Sequence, residues 1–302
     1  MASERERYLA GREMTAVGKT ADVVNRVAEL RSILATGVAR PARVDLRLLR
    51  KRAWIPPLDL GDLAEPRRAP TWREFEPAGQ GALGRLFGRA RHHRGLAAAR
   101  AAFDEAVRRH DEEEAERVRR VAELRERHEE ERKRVEKAAA DHNRGLDEFG
   151  RKLARRDPEA VERHLGLVLA AVPLPSGFPR RAEAVFTPEA ETAAVRVELP
   201  PRDVVPTARS FTYDPASDRE VRVARSEREV AELYRSLVGQ VVLLVARDLF
   251  DADEHLAAVR VEGRAGGASL LTLEVERAAF ARVDLRRFPA EVCLRRLDAS
   301  EA

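Results

Sequence analysis

Cysteine, lysine and aromatic side chains are scarce in this sequence, and each scarcity bears on the kind of site the chain can hold. Cys293 is the only cysteine, so the chain can form neither an internal disulfide nor a zinc site with several cysteine ligands. No lysine follows Lys152, which argues against a magnesium-dependent nuclease centre of the Asp…Glu-x-Lys type in the second half of the chain. Aromatic residues make up 5% of the chain and charged residues 36%, a balance typical of a protein with a large exposed helix.

Catalytic and targeting motifs are missing as well. The sequence has no phosphate-binding loop, no Gly-x-Gly-x-x-Gly, no His-Glu-x-x-His and no Gly-x-Ser-x-Gly. We therefore predict no catalytic residue, no metal site and no cofactor, and interpret the protein as a non-enzyme. The first residues lack the apolar core of a signal peptide, and the longest apolar run, 241–246, is far too short to cross a bilayer. A cytoplasmic protein without a membrane partner is expected.

Proline is absent from residues 94–156, and this stretch is predicted to form one long helix. Ala, Glu, Arg and Leu, all strong helix formers, dominate it. Alternating steps of four and three residues trace the spacing of a coiled-coil seam along one face. Charged seam positions such as Arg100 and Glu114 favour a short or antiparallel coiled coil over a long parallel zipper. The seam consists of Leu96, Arg100, Phe103, Val107, His110, Glu114, Arg117, Val121, Leu124, His128, Glu131, Val135, Ala138, His142, Gly145 and Phe149.

The charge of this helix is balanced. Residues 108–137 contain eleven Arg or Lys and eleven Asp or Glu. Interspersed opposite charges stabilise an exposed helix through pairs three or four residues apart. The balance therefore favours a solvated helix face over a nucleic-acid track.

A shorter helix and a proline-rich segment are predicted before the long helix, so that residues 1–156 form a helical coiled-coil region. The shorter helix covers 4–36, with Gly37 as its C-terminal stop, and is expected to pair with the long helix in cis or across a dimer. Residues 38–93 are expected to be extended because prolines exclude long helices there. Four apolar residues are predicted to anchor this segment: Trp54, Ile55, Trp72 and Phe75.

Residues 157–302 are predicted to form a compact α+β domain with antiparallel strands and a central core helix. Asp157 followed by Pro158 marks the start of its first helix. Short alternating strands lie between turn signals. Ser226 and Glu229 have the spacing of a capping box, and a broad apolar stripe follows, which indicates the core helix. The predicted fold class is thus α+β, a long helical coiled-coil arm followed by this domain.

Two basic clusters flank the proline-rich segment and are candidate DNA-binding residues. Clusters of this kind can contact phosphates without reading base sequence. A solvated basic turn is the alternative, and it is favoured because arginine is abundant throughout the chain. The candidates are Arg40, Arg43, Arg47, Arg50, Lys51, Arg52, Arg85, Arg89, Arg91 and Arg94.

Several short motifs resemble the middle region of actinobacterial Mrr-like restriction endonucleases. Examples are Val-Glu-Arg-His-Leu-Gly-Leu-Val-Leu at 161–169 and Pro-Ser-Gly-Phe-Pro at 175–179. The stretch at 81–88 and the charged helix after it resemble that family's N-terminal part. The other matching motifs lie at 185–189, 195–200, 204–206, 233–240, 248–250, 283–285 and 293–297.

The resemblance implies a defence context in which foreign or modified DNA is recognised and then cut. In that family the nuclease domain follows the region matched here, so the resemblance implies no catalytic residue for this sequence. The loop at 263–268 is also shorter than the family's glycine- and proline-containing loop. We expect the chain to lack the family's nuclease domain.

The sequence favours a non-catalytic scaffold, adaptor or targeting module that acts by oligomerisation and partner binding. We expect a homo-oligomer formed through the coiled coil, with a nuclease or other defence protein as a candidate partner. One alternative is a sequence-nonspecific DNA-binding module, with affinity that falls steeply with salt. Another is an enzyme of unknown class in the C-terminal domain, which would need a pocket with convergent polar groups.

Overall fold

The computed structural model describes residues 4–77 and 89–301, and the side chains of residues 4–77 and 93–300. The chain divides into two compact units. Residues 1–48 and 147–302 form the first, which we call the α+β unit, and residues 49–146 form the second, the rod unit. This division differs from the boundary expected at residue 156, because Leu30, Leu34 and other apolar residues of the N-terminal segment lie in the core of the α+β unit.

The helices and strands are numbered along the chain. The helices are α1 (Glu4–Arg31), α2 (Ile33–Val38), α3 (Trp72–Phe75), α4 (Arg89–Ala154), α5 (Pro158–Ala170), α6 (Glu227–Ala252), α7 (Arg277–Phe280) and α8 (Ala290–Arg296). The strands are β1 (Ala182–Thr187), β2 (Thr192–Glu198), β3 (Ala208–Asp214), β4 (Arg219–Ala224), β5 (Ala258–Ala265), β6 (Ala268–Glu276) and β7 (Ser300–Glu301). Short 3-10 helices lie at Leu46–Leu49, Gly61–Leu63, Pro188–Ala190 and Arg202–Val204.

Five strands form the main sheet of the α+β unit in the order β1-β2-β5-β6-β7, and β3 and β4 form a separate two-stranded sheet. The predicted antiparallel pairing is confirmed for β1–β2, β3–β4, β5–β6 and β6–β7. It is wrong for β2–β5, which are parallel. The connection explains the difference, since β3, β4 and α6 lie between these two strands in sequence. A crossover of that length returns the chain to the same end of the sheet.

The core helix α6 packs against one face of the main sheet, as predicted. Ser226 caps its N-terminus, and the carboxylate of Glu229 accepts the Ser226 backbone N–H at 2.8 Å, which confirms the capping box. The sheet buries one face and exposes the other, so its strands alternate. The buried hydrophobic residues of the main sheet are Phe186, Ala193, Val195, Val197, Val259, Val261, Leu271, Leu273 and Val275.

Two helices replace the single N-terminal helix that was expected at 4–36. The chain bends at Ser32, between α1 and α2. Gly37 is not a C-terminal stop, because it lies inside α2, where a Cβ atom would overlap the side chain of Leu244. The partners of these helices also differ from the expectation, since α1 packs on β3 and α2 packs on α6.

In the rod unit, one face of α4 is covered by the preceding segment of the chain, residues 49–77, which we call the strap. The rings of Trp72 and Phe75 each lie 5.7 Å from the ring of Phe103, edge to face. These two anchors are therefore confirmed. Trp54 is 76% exposed, so its prediction as an anchor is wrong. Ile55 is partly buried.

Polar side chains of α4 hold the rest of the strap. The ring of His142 donates to the carbonyl of Leu49 at 2.9 Å, and Asn143 bonds both backbone groups of Lys51 at 2.9 and 3.0 Å. Two further bonds join Arg117 to the Leu63 carbonyl and His128 to the Pro56 carbonyl, at 2.7 and 3.0 Å. Arg117, His128 and His142 all belong to the predicted seam. These three seam residues and Phe103 thus contact an extended segment where a partner helix was expected.

Candidate functional site

The α+β unit has an open groove of about 620 Å3 between α6, β6 and α8. The two helices pack closely at Gly239, where an added Cβ atom would lie 2.7 Å from Cδ1 of Leu294. This close approach sets Leu294 beside Val238 in the lining of the groove. Tyr234 is fixed in the wall, since its hydroxyl donates to the carbonyl of Pro200 at 2.8 Å. Burial raises the pKa of Tyr234, and Asp203 and Glu198 raise it further.

A β-bulge supplies the second apolar wall of the groove. On β6 the register shifts by one residue, so that Leu270 has no partner opposite it on β5, while Leu271 pairs with Gly263. A β-bulge changes the direction in which the side chain of the extra residue points. Leu270 and Leu271 consequently both line the groove, although neighbours in a regular strand point to opposite faces. The adjacent leucines are the sequence signal that could have indicated this site.

Charges of both signs surround the apolar lining. Glu232 and Arg235 lie on α6, and Glu291 and Arg295 lie on α8. Among the residues that the structure describes, Arg235 and Glu291 form no ion pair and accept or donate no side-chain hydrogen bond. An apolar lining with unpaired charged side chains at its rim is typical of a surface that binds another protein or peptide.

A second, more polar cavity of about 400 Å3 lies at the C-terminal end of α6. Arg156 spans it, donating to Asp253 at 2.7 Å and to Glu191. Burial lowers the pKa of Arg156, but its hydrogen bonds to Glu191 and Asp253 outweigh burial and leave the pKa raised. Arg277 donates to the carbonyls of Phe250 and Leu256 at 3.0 and 2.7 Å, so it caps the end of α6.

His164 is the unusual group of this cavity. It is buried, and its Nδ1 has no hydrogen-bond partner among the described residues. Its Nε2 lies 3.4 Å from the carbonyl of Ala252, to which it can only donate. In the neutral ring Nδ1 is then an unused acceptor. Because Arg156 and Arg277 are committed to bonds within the chain, the arrangement fits a structural role better than a reaction centre.

Two of the candidate DNA-binding residues are engaged inside the α+β unit. Arg40 donates to Asp248 at 2.7 Å, and Arg247 donates to the other oxygen of the same carboxylate at 2.7 Å. Asp248 is fully buried, and burial raises its pKa while Arg247 and Arg40 oppose that rise. Arg43 donates to the carbonyl of Asp251 at 3.3 Å. Arg40 and Arg43 thus hold residues 40–43 against the end of α6.

The other basic candidates are placed differently. Arg47, Arg50, Lys51 and Arg52 are exposed. Arg94 is also exposed. Arg85 lies outside the described residues, as do the side chains of Arg89 and Arg91. Of the ten candidates, Arg50, Lys51 and Arg52 follow one another in the rod unit, and Arg47 belongs to the α+β unit.

Cys293 and the acidic residues were the remaining groups to place in the part of the chain that the structure describes. Cys293 is fully buried, its Sγ lies 3.6 Å from the carbonyl of Phe288, and burial raises the pKa of its thiol. No group of three or more His, Cys, Asp or Glu residues in 4–77 and 89–301 is arranged to hold a metal ion. Within the same ranges, no helix has both the length and the apolar character needed to cross a bilayer.

No protein-family model, curated protein or solved structure matches this chain. The resemblance to Mrr-like restriction proteins thus stays a prediction from the sequence.

Proposed function

We propose that this protein is a non-catalytic scaffold or targeting module that self-associates and binds a protein partner in the groove between α6, β6 and α8. The single observation that carries this proposal is the groove itself, with leucines on its floor and unpaired Arg235 and Glu291 at its rim. In the context of the sequence resemblance, the partner is a nuclease or other defence protein, and the setting is the cytoplasm.

The rod unit supports a structural role. Ion pairs three or four residues apart run along the exposed side of α4, for example between Glu129 and Arg132 at 2.7 Å. Such pairs favour a solvated helix. The coiled coil expected from the seam remains a proposal, and the strap limits it. A second helix would have to displace the strap or use a part of α4 that the strap leaves open.

Peptide selection tests the groove directly. Peptides displayed on phage would be selected on the purified protein and measured by fluorescence anisotropy on the charge-reversal variants Arg235→Glu and Arg295→Glu. We expect affinity to fall roughly tenfold, because the rim charges of an interface contribute on the order of 1 kcal/mol each. The matched control is Arg119→Glu, an exposed arginine of α4. Selected peptides that bind all variants equally would contradict the proposed site.

DNA binding is the second candidate function, and the exposed residues Arg47, Lys51 and Arg52 favour it. Neutralising them together with Arg50 to glutamine should abolish binding to duplex DNA and flatten its dependence on salt, because each lost phosphate contact removes counterion release. An enzyme of unknown class remains the third candidate, with the cavity around His164 as its location.

A further inference from the structure

The β3–β4 hairpin of the α+β unit ends in an open strand. β3 and β4 form a two-stranded sheet, so β4 has a neighbour on one side only. All six residues of β4 are exposed. Beyond its ladder with β3, no backbone group of residues 219–224 bonds to another residue in the described part of the chain. An open strand edge of this kind is a template for pairing with another strand.

The β1 edge of the main sheet is protected, in contrast to the edge of β4. On β1, an edge strand of the main sheet, the backbone N–H of Phe186 donates to the carboxylate of Glu162 at 2.9 Å, and α5 packs against the strand. On β4, by contrast, no side chain in the described part of the chain bonds to the backbone groups of the outer edge.

The hairpin is held rigidly from one side by α1. Thr20 Oγ1 bonds both backbone groups of Phe211, at 2.8 and 2.9 Å. Lys19 Nζ donates to the carboxylate of Glu220 at 2.8 Å, which places the even-numbered side chains of β4 on the side of α1. Val221 and Val223 point to the opposite side and are 45% and 39% exposed. The edge is therefore preorganised for a partner, and ordering it on binding costs little.

The order of charges on β4 makes this edge complementary to itself. If a second copy pairs antiparallel about a two-fold axis through Val221, Glu220 of each copy lies opposite Arg222 of the other. Opposite charges directly across an antiparallel pair are favourable, and like charges are unfavourable. If both α1 helices stay on the same side of the sheet, each residue can change its partner only by two positions. The two-fold axis then passes through Glu220 or Arg222, which places Glu220 against Glu220 or Arg222 against Arg222. The charges thus select one register.

We infer that two copies of this chain join through β4 into a four-stranded sheet of order β3-β4-β4-β3, centred on Val221. The contact is isologous, as expected for a two-fold dimer. It deepens the proposed self-association and rests on that part of the proposed function, but it uses residues distinct from those of the groove. The strand edge is short, so the dimer is expected to be weak and concentration-dependent.

Charge reversal tests the register without relying on a single variant. The full-length protein would be studied by sedimentation equilibrium over a concentration series, with circular dichroism to confirm folding. Glu220→Arg alone, or Arg222→Glu alone, makes all four charges at the contact alike, and we expect dimerisation to weaken roughly tenfold or more. Mixing the two single variants restores opposite charges across the contact and should give a heterodimer.

The double variant Glu220→Arg with Arg222→Glu exchanges the charges and should dimerise like the original protein. Glu262→Arg is the matched control, because Glu262 is a charged strand residue on the exposed face of the main sheet and its reversal should leave the dimer unchanged. A monomeric original protein overturns both this inference and the proposed self-association. A dimer that is insensitive to both single reversals, Glu220→Arg and Arg222→Glu, overturns the β4 contact alone.

Discussion

At the scale of single residues, glycine sets how closely the elements of the α+β unit approach α6. Gly37 of α2 faces Leu244, and Gly239 faces Leu294, with no room for a Cβ atom at either position. The sequence could not distinguish Gly37 from a stop signal, because a glycine after an apolar helix face has the same local pattern in both cases. Only the long-range neighbour decides between the two roles.

Replacing Gly37 with alanine tests this packing. The Gly37→Ala variant should lose about 1–3 kcal/mol of unfolding free energy, because the added methyl group must displace Leu244. Gly18→Ala is the control, since nothing lies within 4 Å of the Cβ position at this exposed site of α1. It should gain about 0.5–1 kcal/mol from helix propensity. Urea unfolding followed by circular dichroism measures both, and equal effects of the two substitutions would contradict the packing role.

The pair formed by Arg40 and Asp248 leads to a second prediction at this scale. Arg40→Gln should lower the unfolding free energy by roughly 2–3 kcal/mol, because the buried carboxylate of Asp248 loses one of its two cationic partners. Arg52→Gln should change stability by less than about 0.5 kcal/mol, since Arg52 is exposed. Thermal unfolding compares the two, and a neutral Arg40→Gln would return Arg40 to the set of accessible DNA-binding candidates.

At the scale of elements, the features that could be predicted from the sequence are those that hydrophobic periodicity and capping residues indicate directly. The capping box at Ser226, the N-cap at Asp157 and the apolar stripe of α6 are all present. The strap could not be predicted in this way. It is an extended segment bonded through its backbone carbonyls, and such bonds impose no periodic pattern on the sequence. Arg117 and His142 interrupt the seam because they bind strap carbonyls, and a heptad pattern alone could not reveal that partner.

The two tryptophans separate anchored from exposed parts of the strap. Trp72→Ala should raise amide hydrogen exchange in Trp72–Phe75 roughly three- to tenfold, because an aromatic edge-to-face pair contributes about 0.5–1.5 kcal/mol. Trp54→Ala should leave exchange in the strap unchanged, since Trp54 is largely exposed. Exchange followed by mass spectrometry measures both variants. Equal protection of Trp72–Phe75 in the Trp72→Ala variant would show that the ring contact does not hold the strap.

Acid should loosen the strap near Leu63. The hydrogen bond from Arg117 holds the pKa of Glu114 below its usual value. Ionised Glu114 therefore supports the Arg117–Leu63 contact at neutral pH, and this support is lost as pH falls below the ordinary glutamate pKa of about 4.3 and through the lowered one. The carbonyl carbon shift of Leu63 by NMR should follow that titration. In a Glu114→Gln variant the response should disappear, and an unchanged response there would assign it to another group.

At the scale of the whole molecule, the candidate site lies where local sequence patterns are least informative. Clusters of basic residues led to the prediction of a DNA-binding region at 40–52, yet Arg40 and Arg43 form bonds within the α+β unit. The groove depends on a helix contact at Gly239 and a bulge at Leu270, and both are long-range features. The self-complementary charges of β4 become meaningful only once β4 is known to be an open edge.

The scaffold proposal can be tested by measuring molar mass by size-exclusion chromatography with light scattering, with and without duplex DNA, at low and high salt. We expect an oligomer whose mass at a given protein concentration is the same with and without DNA. High salt should weaken the oligomer only modestly, because salt screens the Glu220–Arg222 pairs but leaves the backbone pairing along β4 intact. A monomer that shifts onto DNA only at low salt would contradict the scaffold proposal and favour DNA binding by the exposed basic residues.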